Sequence, residues 1–485
     1  MDTVASRLAR RWNEQGGYRE LLVLAVPLIL STGSWSILHF VDRMFLSWYD
    51  VDCLAASLPG GVMSFSLSAF FLGTATYANT FVAQYNGAGR PERIGPAVWQ
   101  SIYWSALATA AMLVAIPFAR SIFEFARHDP ALIELEAQYF AILCVGSGAM
   151  VYSNAVSCFF SGRGKTMTVM WVTVGAVAVN IALDYAWIFG RWGFPEWGMA
   201  GAAWATVASV MARSVAFTLL FLLHPEHERF GTRRGWRFDR ELFGRLMRFG
   251  VPSGVQFMLD VLAFAFFVLL VGRIGARELA ASNLSFQVNT LAFMPMIGIG
   301  IATSTLVGQR QGERNPQLAE KSAWSALHVA WIYMGTVAFF YVATPRIFLE
   351  PFAAKADRDE FAILLEIAVP LLRFVAFYSL FDAACIVFSS ALKGAGDTRF
   401  AMIWSIAVSW SLMVVPTYFT VQMKEGALIA SWWCITIAIF TLGLGFLWRF
   451  RGGKWKTMRV IEDASAAAGA AVLAEIPAAE PEVAG

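Results

Sequence analysis

The chain has 485 residues, of which 58% are hydrophobic and only 15% are charged, and its formal net charge is +3. A soluble protein of this size needs far more charge to cover its surface, and so small a net charge argues against nucleic acid as a partner. Apolar runs of twenty or more residues recur, long enough for a helix to cross about 30 Å of hydrocarbon. The sequence therefore predicts an all-α, multi-pass membrane protein.

Twelve of these runs have the length and composition of membrane-spanning helices. They cover approximately residues 21–47, 55–83, 97–119, 134–159, 166–190, 197–223, 247–272, 279–308, 324–345, 360–391, 398–421 and 425–449. No short apolar core with a cleavage site precedes the first run, so its helix is expected to stay in the mature protein. No metal-ligand spacing or nucleophile motif appears, so we expect neither an enzyme nor a bound cofactor.

Lysine and arginine are distributed unevenly between the two ends of the predicted helices. About 25 of the 37 lie on the side of both termini and the even-numbered connections, and the 224–246 linker is especially basic. The positive-inside rule then predicts that both termini and the central linker are cytoplasmic. The N-terminal segment 1–20 and the tail 450–485 lie on that side, and the Ala-, Pro- and Glu-rich tail is expected to be disordered.

Short motifs of the first half recur in order in the second half. Three pairs are separated by 225 residues and one by 232: Val26-Pro27 with Val251-Pro252, Leu54-Ala55-Ala56-Ser57 with Leu279-Ala280-Ala281-Ser282, Val82-Ala83-Gln84 with Val307-Gly308-Gln309, and Gly162-Arg163-Gly164-Lys165-Thr166 with Gly394-Ala395-Gly396-Asp397-Thr398. Six helices separate equivalent positions, so the halves 21–223 and 247–449 are parallel repeats. Transporters that are built from internal repeats usually have their substrate site near the interface between the repeats.

Four carboxylates lie well inside the predicted helices, where each costs about 2.5–3.5 kcal/mol on insertion scales. They are Asp42, Asp184, Asp260 and Asp382. Three have a polar residue four positions earlier, hence on the same helical face. These residues are Asn180, Gln256 and Tyr378, and Asn283 with Gln287 forms a further pair of this spacing. The sequence therefore predicts one acidic site in each half.

Such a site could hold a monovalent cation, or it could hold carboxyl groups that bind and release protons. The alternative is a structural one, in which Arg43, Arg213 or His39 neutralises an aspartate in an interhelical ion pair. The C-terminal acids lie deeper and have no adjacent arginine, so they are slightly favoured as the ion-coupling site.

The chain resembles the multidrug and toxic compound extrusion (MATE) transporters, in particular the bacterial NorM-type branch, from about residue 20 to 450. The resemblance implies a location in the bacterial inner membrane. The resemblance rests on a series of motifs in order: Phe40-Val41-Asp42, Val82-Ala83-Gln84-Tyr85 with Gly87-Ala88-Gly89, Asn180-Ile181-Ala182-Leu183-Asp184-Tyr185 with Ile188-Phe189-Gly190, Gly201-Ala202-Ala203-Trp204-Ala205-Thr206, and Lys393 to Thr398. It implies two six-helix lobes around a central cavity and export of organic, often cationic, compounds driven by H⁺ or Na⁺.

The resemblance also implies particular site residues. Asp42, Asn180 and Asp184, with Thr206, would form an N-terminal ion site, and Asp260, Tyr378 and Asp382 a C-terminal one. Two residues depart from the NorM-type pattern: Asp260 stands where Glu is usual, and Arg43 where a small polar residue is common.

The function predicted is therefore that of a secondary multidrug antiporter acting as a monomer. A lipid-linked oligosaccharide flippase shares this architecture, but it should carry more cations inside to hold pyrophosphate. A membrane-embedded transferase would need a pair of carboxylates for a metal at the membrane surface, and no such pair occurs in the even-numbered connections. A purely structural scaffold gives no account of the buried acids.

Overall fold

The computed structural model of the protein describes residues 11–125, 130–351, 358–423 and 425–462, and within these ranges the chain is built of helices and turns. Twelve helices are long and apolar enough to cross a membrane. In chain order they are α1 Tyr18–Tyr49, α2 Asp52–Gly87, α3 Pro91–Phe125, α4 Leu132–Ser161, α5 Thr166–Ile188, α6 Gly198–Leu222, α7 Arg240–Gly272, α8 Ala276–Gly312, α9 Pro316–Ala343, α10 Phe361–Ala395, α11 Thr398–Thr420 and α12 Ala427–Arg451. The predicted fold class and number of helices are confirmed.

Several helices are longer than their apolar runs. Helix α7 begins at Arg240 and not near residue 247, because the Asp239 carboxylate caps it by accepting a hydrogen bond of 3.0 Å from the backbone N–H of Leu242. Its first two turns carry charges, so hydrophobicity alone does not find them. In α11 a stretch of π-helix over Ser409–Val414 widens the helix one turn beyond Ser405.

The N-lobe (α1–α6) and the C-lobe (α7–α12) pack through equivalent surfaces. Helix α2 packs on α7 and α8 packs on α1. A Cβ on Gly73 would lie 2.9 Å from the Cα of Gly254, and one on Gly298 would lie 2.7 Å from the backbone nitrogen of Ile29. Gly298 follows Gly73, and Gly254 follows Ile29, by the 225 residues that separate the repeated motifs. The repeat in the sequence therefore corresponds to two equivalent contacts in the fold.

A second symmetric pair of glycines allows α2 and α8 to approach closely at one end of the bundle. A Cβ on Gly87 would lie 1.9 Å from the carbonyl oxygen of Gln309, and one on Gly312 would lie 2.2 Å from that of Gln84. This end carries the start of α1, the even-numbered connections and the end of α12, and we call it the basic face. No side chain larger than hydrogen fits at either glycine without moving backbone.

We expect Gly312→Ala to destabilise the protein by about 1–3 kcal/mol, the usual cost of overpacking a tight contact. Thermal unfolding of the purified protein in detergent measures the effect. Gly175→Ala is the matched control, because Gly175 lies within α5 and has no atom within 4 Å of the position of the added methyl group. Equal melting temperatures for the two variants would show that α2 and α8 do not need this close approach.

The chain continues in an ordered form beyond α12. Trp455 is fully buried and stacks on Phe450, with their ring centroids 4.8 Å apart, and Val460 is buried as well. The prediction of a disordered tail from residue 450 is therefore wrong for residues 450–462. The average composition of the tail is typical of disorder, although apolar residues such as Trp455 and Val460 lie near its start. Residues 463–485 lie outside the described part of the chain.

Candidate ion and substrate sites

Three helices bring the N-lobe candidates together. Asp42 on α1 is 7% exposed, and Asn180 and Asp184 on α5 are completely buried. The orientation of the Asn180 amide that satisfies its neighbours has Nδ2 donating to Asp184 Oδ2 at 3.1 Å and to Asp42 Oδ1 at 3.2 Å. In the same orientation Asn180 Oδ1 accepts from the backbone N–H of Thr206 on α6 at 3.2 Å. Thr206 thus contacts this cluster through its backbone.

Within the described residues, no basic side chain forms a salt bridge with this N-lobe cluster, although the charge of Arg43 acts on Asp42. The carboxyl groups of Asp42 and Asp184 are within hydrogen-bonding reach of each other. Asp184 Oδ1 is buried and has no hydrogen-bond partner within the described residues. Two bare carboxylates in contact away from water are costly, so the arrangement calls for a proton or a small cation between them.

The structure argues against the interhelical ion pairs considered as an alternative. Among the described residues, none of the four interior aspartates forms a salt bridge, and Arg43 is exposed. Arg213 on α6 is 6% exposed and donates to the Ser153 hydroxyl from Nε at 3.1 Å and from Nη2 at 2.7 Å. Its guanidinium also lies 5.3 Å from the centre of the Trp35 ring. Arg213 is therefore held by a hydroxyl and an aromatic ring, and it is no partner for an aspartate.

The C-lobe acids are more open than those of the N-lobe. Asp260 on α7 and Asp382 on α10 are both half-buried. The Ser405 hydroxyl on α11 donates to Asp260 Oδ1 at 2.7 Å, and Gln256 also contacts Asp260 through its side chain. Tyr378 is 3% exposed, and it lies close enough to Asp382 for the charge of that carboxylate to act on the tyrosine hydroxyl. Asp260 and Asp382 are thus more exposed than Asp42 and Asp184.

Two of the C-lobe candidates do not join the acids. Asn283 is half-buried and Gln287 is exposed on α8, and within the described residues neither forms a hydrogen bond with Asp260 or Asp382. Their four-residue spacing places them on one face of α8, but that face is not within hydrogen-bonding distance of the acids. Ser405 is not among the residues predicted from the sequence, although Ser409 follows it at the same four-residue spacing that identified the other polar faces.

A twelve-helix bundle of two parallel repeats, with carboxylates inside each repeat, defines a membrane transporter. The MatE family model matches residues 27–186 and 252–419, two segments whose first residues are 225 positions apart. The chain belongs to this family, the multidrug and toxic compound extrusion transporters. The resemblance inferred from the sequence is therefore confirmed.

The curated relatives carry multidrug resistance names. The chain is 27% identical over 411 residues to a probable multidrug resistance protein NorM of Brucella suis, covering 83% of this chain and 86% of the relative. It is 27% identical over 418 residues to the multidrug resistance protein PmpM of Pseudomonas aeruginosa, covering 85% and 86%. The protein is accordingly a multi-pass multidrug efflux transporter and not an enzyme.

Solved structures share the fold. One described as an outward-facing conformation of a multidrug resistance MATE family transporter superposes with a TM-score of 0.82 at 20% identity, covering 94% of this chain and 100% of that one. A transporter from Pyrococcus furiosus, whose description reports a binding pocket of reversed polarity, gives a TM-score of 0.83 at 20% identity, covering 94% of this chain and all of that one. At this identity the likeness shows the architecture alone.

Proposed function

We propose that the protein is a secondary antiporter of the bacterial inner membrane that exports organic cations in exchange for protons. The observation that supports this is the N-lobe cluster, in which Asp42 and Asp184 share one amide donor and leave Asp184 Oδ1 without a partner. A proton on one carboxyl group would supply the missing donor. Protonation would also remove the charge that makes the buried pair costly.

The Asn180 amide supports protons over sodium ions as the coupling ion. Sodium prefers oxygen ligands, so it would require Asn180 Oδ1 to face the two carboxylates. That orientation would turn Nδ2 toward the Thr206 N–H, and two donors would then face each other. The orientation that satisfies Thr206 directs N–H groups at the carboxylates, which is compatible with a shared proton and repels a metal cation.

The C-lobe acids are proposed to hold the substrate. Asp260 and Asp382 are half-buried and form no salt bridge within the described residues, so both carboxylates are available to pair with a positively charged substrate. Proton uptake in the N-lobe and substrate binding in the C-lobe would then favour opposite orientations of the two lobes, as alternating access requires. The basic face is proposed to be cytoplasmic.

Transport by proteoliposomes under separately imposed proton and sodium gradients tests this function. We expect a fluorescent lipophilic cation to be extruded when only a proton gradient is present. A sodium gradient without a proton gradient should give the rate of vesicles without protein. Extrusion driven by sodium alone would contradict the proposed ion, and extrusion without either gradient would contradict antiport itself.

A further inference from the structure

The lobes are joined mainly at the basic face. Among the described residues, the hydrogen bonds that cross between the lobes lie from that face to the middle of the bundle, where the Thr32 hydroxyl donates to the carbonyl of Met294 at 3.0 Å. Closer to the face, Tyr77 donates to the carbonyl of Lys393 at 2.8 Å. Asn79 donates to the Thr305 hydroxyl at 2.9 Å. The structure is therefore that of a transporter closed on this side.

Two of these hydrogen bonds are equivalent under the repeat. Gln84 at the end of α2 donates to the carbonyl of Gly394 at 3.0 Å, across the interface. Gln309 at the end of α8 donates to the carbonyl of Gly162 at 2.9 Å, in the opposite direction. The repeated Val-(Ala/Gly)-Gln and glycine motifs found in the sequence thus meet each other across the lobes.

The segment after α12 adds a contact for which the described residues of the first half show no equivalent. We call residues 452–462 the strap. It is anchored to the C-lobe where Gln311 donates to the carbonyl of Trp455 at 2.7 Å and Arg459 donates to that of Gly312 at 3.1 Å. It then crosses to the N-lobe, where the backbone N–H of Val460 donates to Gln84 Oε1 at 2.9 Å.

The end of the strap places one carboxylate between cations of both lobes. Glu462 Oε1 lies 2.7 Å from Arg90 Nη2 and 3.4 Å from Arg93 Nε, and Oε2 accepts from the Tyr85 hydroxyl at 2.8 Å; all three partners belong to the N-lobe. Oε2 also pairs with Arg245 of α7, in the C-lobe. The Glu462 side chain is only 14% exposed.

We propose that Glu462 is a positioning residue for transport: it ties the N-lobe to α7 while the basic face is closed, and its release accompanies the opening of that face. The inference rests on the proposed alternation of the lobes. Without the carboxylate, Arg90 and Arg93 of one lobe would face Arg245 of the other. Arg93 would keep its 3.2 Å ion pair with Asp239 at the start of α7. The repulsion among the three arginines would nevertheless weaken the attraction between the lobes and favour their separation.

Glu462 is ionised near neutral pH while the basic face is closed. Burial acts to raise the pKa of this carboxyl, but hydrogen bonds from backbone, Tyr85 and Arg245, together with the charge of Arg245, lower it to about 2. A depressed pKa means that the stabilisation is complete above the ordinary glutamate value and is lost only as pH falls toward the lowered one. The tie is thus intact near neutral pH, and movement of the lobes has to break it.

Distances between spin labels on the two lobes test this proposal. The labels would be attached at Lys165→Cys in the α4–α5 connection and Arg399→Cys at the start of α11, both exposed, after replacement of the five native cysteines. We expect the parent protein to give mainly the short distance of a closed basic face. Glu462→Gln should convert most of this population to a longer distance.

Arg245→Gln is the second variant, and it should give a smaller increase in the long distance, because it breaks the tie but also removes one of the repelling cations. Glu241→Gln is the matched control. Glu241 pairs with the same Arg245 at 3.5 Å, but both residues lie on one helix and the pair does not cross the interface. The spin-label distances of Glu241→Gln should therefore match those of the parent. A Glu462→Gln distribution equal to that of the parent overturns the proposal.

The result can be separated from a failure of the proposed function. Ion-driven dye extrusion by the labelled parent is measured in the same vesicles. Absence of extrusion there contradicts the antiport proposal whatever the distances show. Extrusion by the parent together with unchanged distances in Glu462→Gln contradicts only the role of the strap.

Discussion

Asp184→Asn is expected to reduce proton-driven efflux to the background of vesicles without protein. The substitution removes the buried carboxyl group whose Oδ1 has no hydrogen-bond partner among the described residues, and an amide in its place cannot take up and release a proton. The initial rate of dye extrusion under an imposed proton gradient measures the loss. Asp52→Asn is the matched control, since Asp52 is exposed at the start of α2, and its rate should equal that of the parent.

Protein stability provides an independent check on the same variant. Asp184 and Asp42 are close together and buried, so removal of one carboxyl group relieves an unfavourable contact. We therefore expect the melting temperature of Asp184→Asn to equal or exceed that of the parent. A large decrease would mean that Asp184 stabilises the fold through a contact that the structure does not explain, and the loss of transport could then not be assigned to ion coupling.

Asp260→Asn is expected to weaken substrate binding and leave proton binding intact. Loss of one carboxylate from the half-buried C-lobe site should raise the KM for a cationic substrate by about tenfold, which corresponds to about 1.4 kcal/mol. Efflux rates measured over a range of substrate concentrations separate KM from kcat. Ser405→Ala is the graded comparison, because it removes the 2.7 Å hydrogen bond to Asp260 but keeps the charge.

The two variants together distinguish the roles of the lobes. If the C-lobe carries the coupling ion, as the sequence slightly favoured, Asp260→Asn should abolish proton-driven efflux at every substrate concentration. Recovery of the rate at high substrate concentration would instead agree with a substrate site. An uncharged substrate should respond less to Asp260→Asn than a cationic one of similar size.

The sequence was sufficient to predict features that depend on a single helix. Run lengths gave the number of helices, and the spacing of four residues placed Asn180 beside Asp184 and Gln256 beside Asp260. It was insufficient where two helices must face each other. The same spacing selected Asn283 and Gln287, which form no hydrogen bond with the acids among the described residues, and it could not show that Arg213 binds Ser153.

The roles of backbone groups and of short apolar segments could not be predicted from the sequence either. Thr206 contacts the N-lobe cluster through a peptide N–H, which every residue except proline possesses. The strap is stabilised by Trp455 and Val460, which lie at the start of a tail with a composition typical of disorder. In both cases the decisive contact depends on where the chain returns in three dimensions.

The reciprocal bonds of Gln84 with Gly394 and Gln309 with Gly162 have a consequence for how such a protein can be assembled. Two identical half-length chains could form both bonds as a symmetric dimer. They would, however, bring two straps to the basic face, with two Glu462 side chains for what is here one set of arginines. Fusion of the halves into one polypeptide permits a single strap. The two lobes then differ, because the strap extends from the C-lobe and the arginines Arg90 and Arg93 that bind its end belong to the N-lobe.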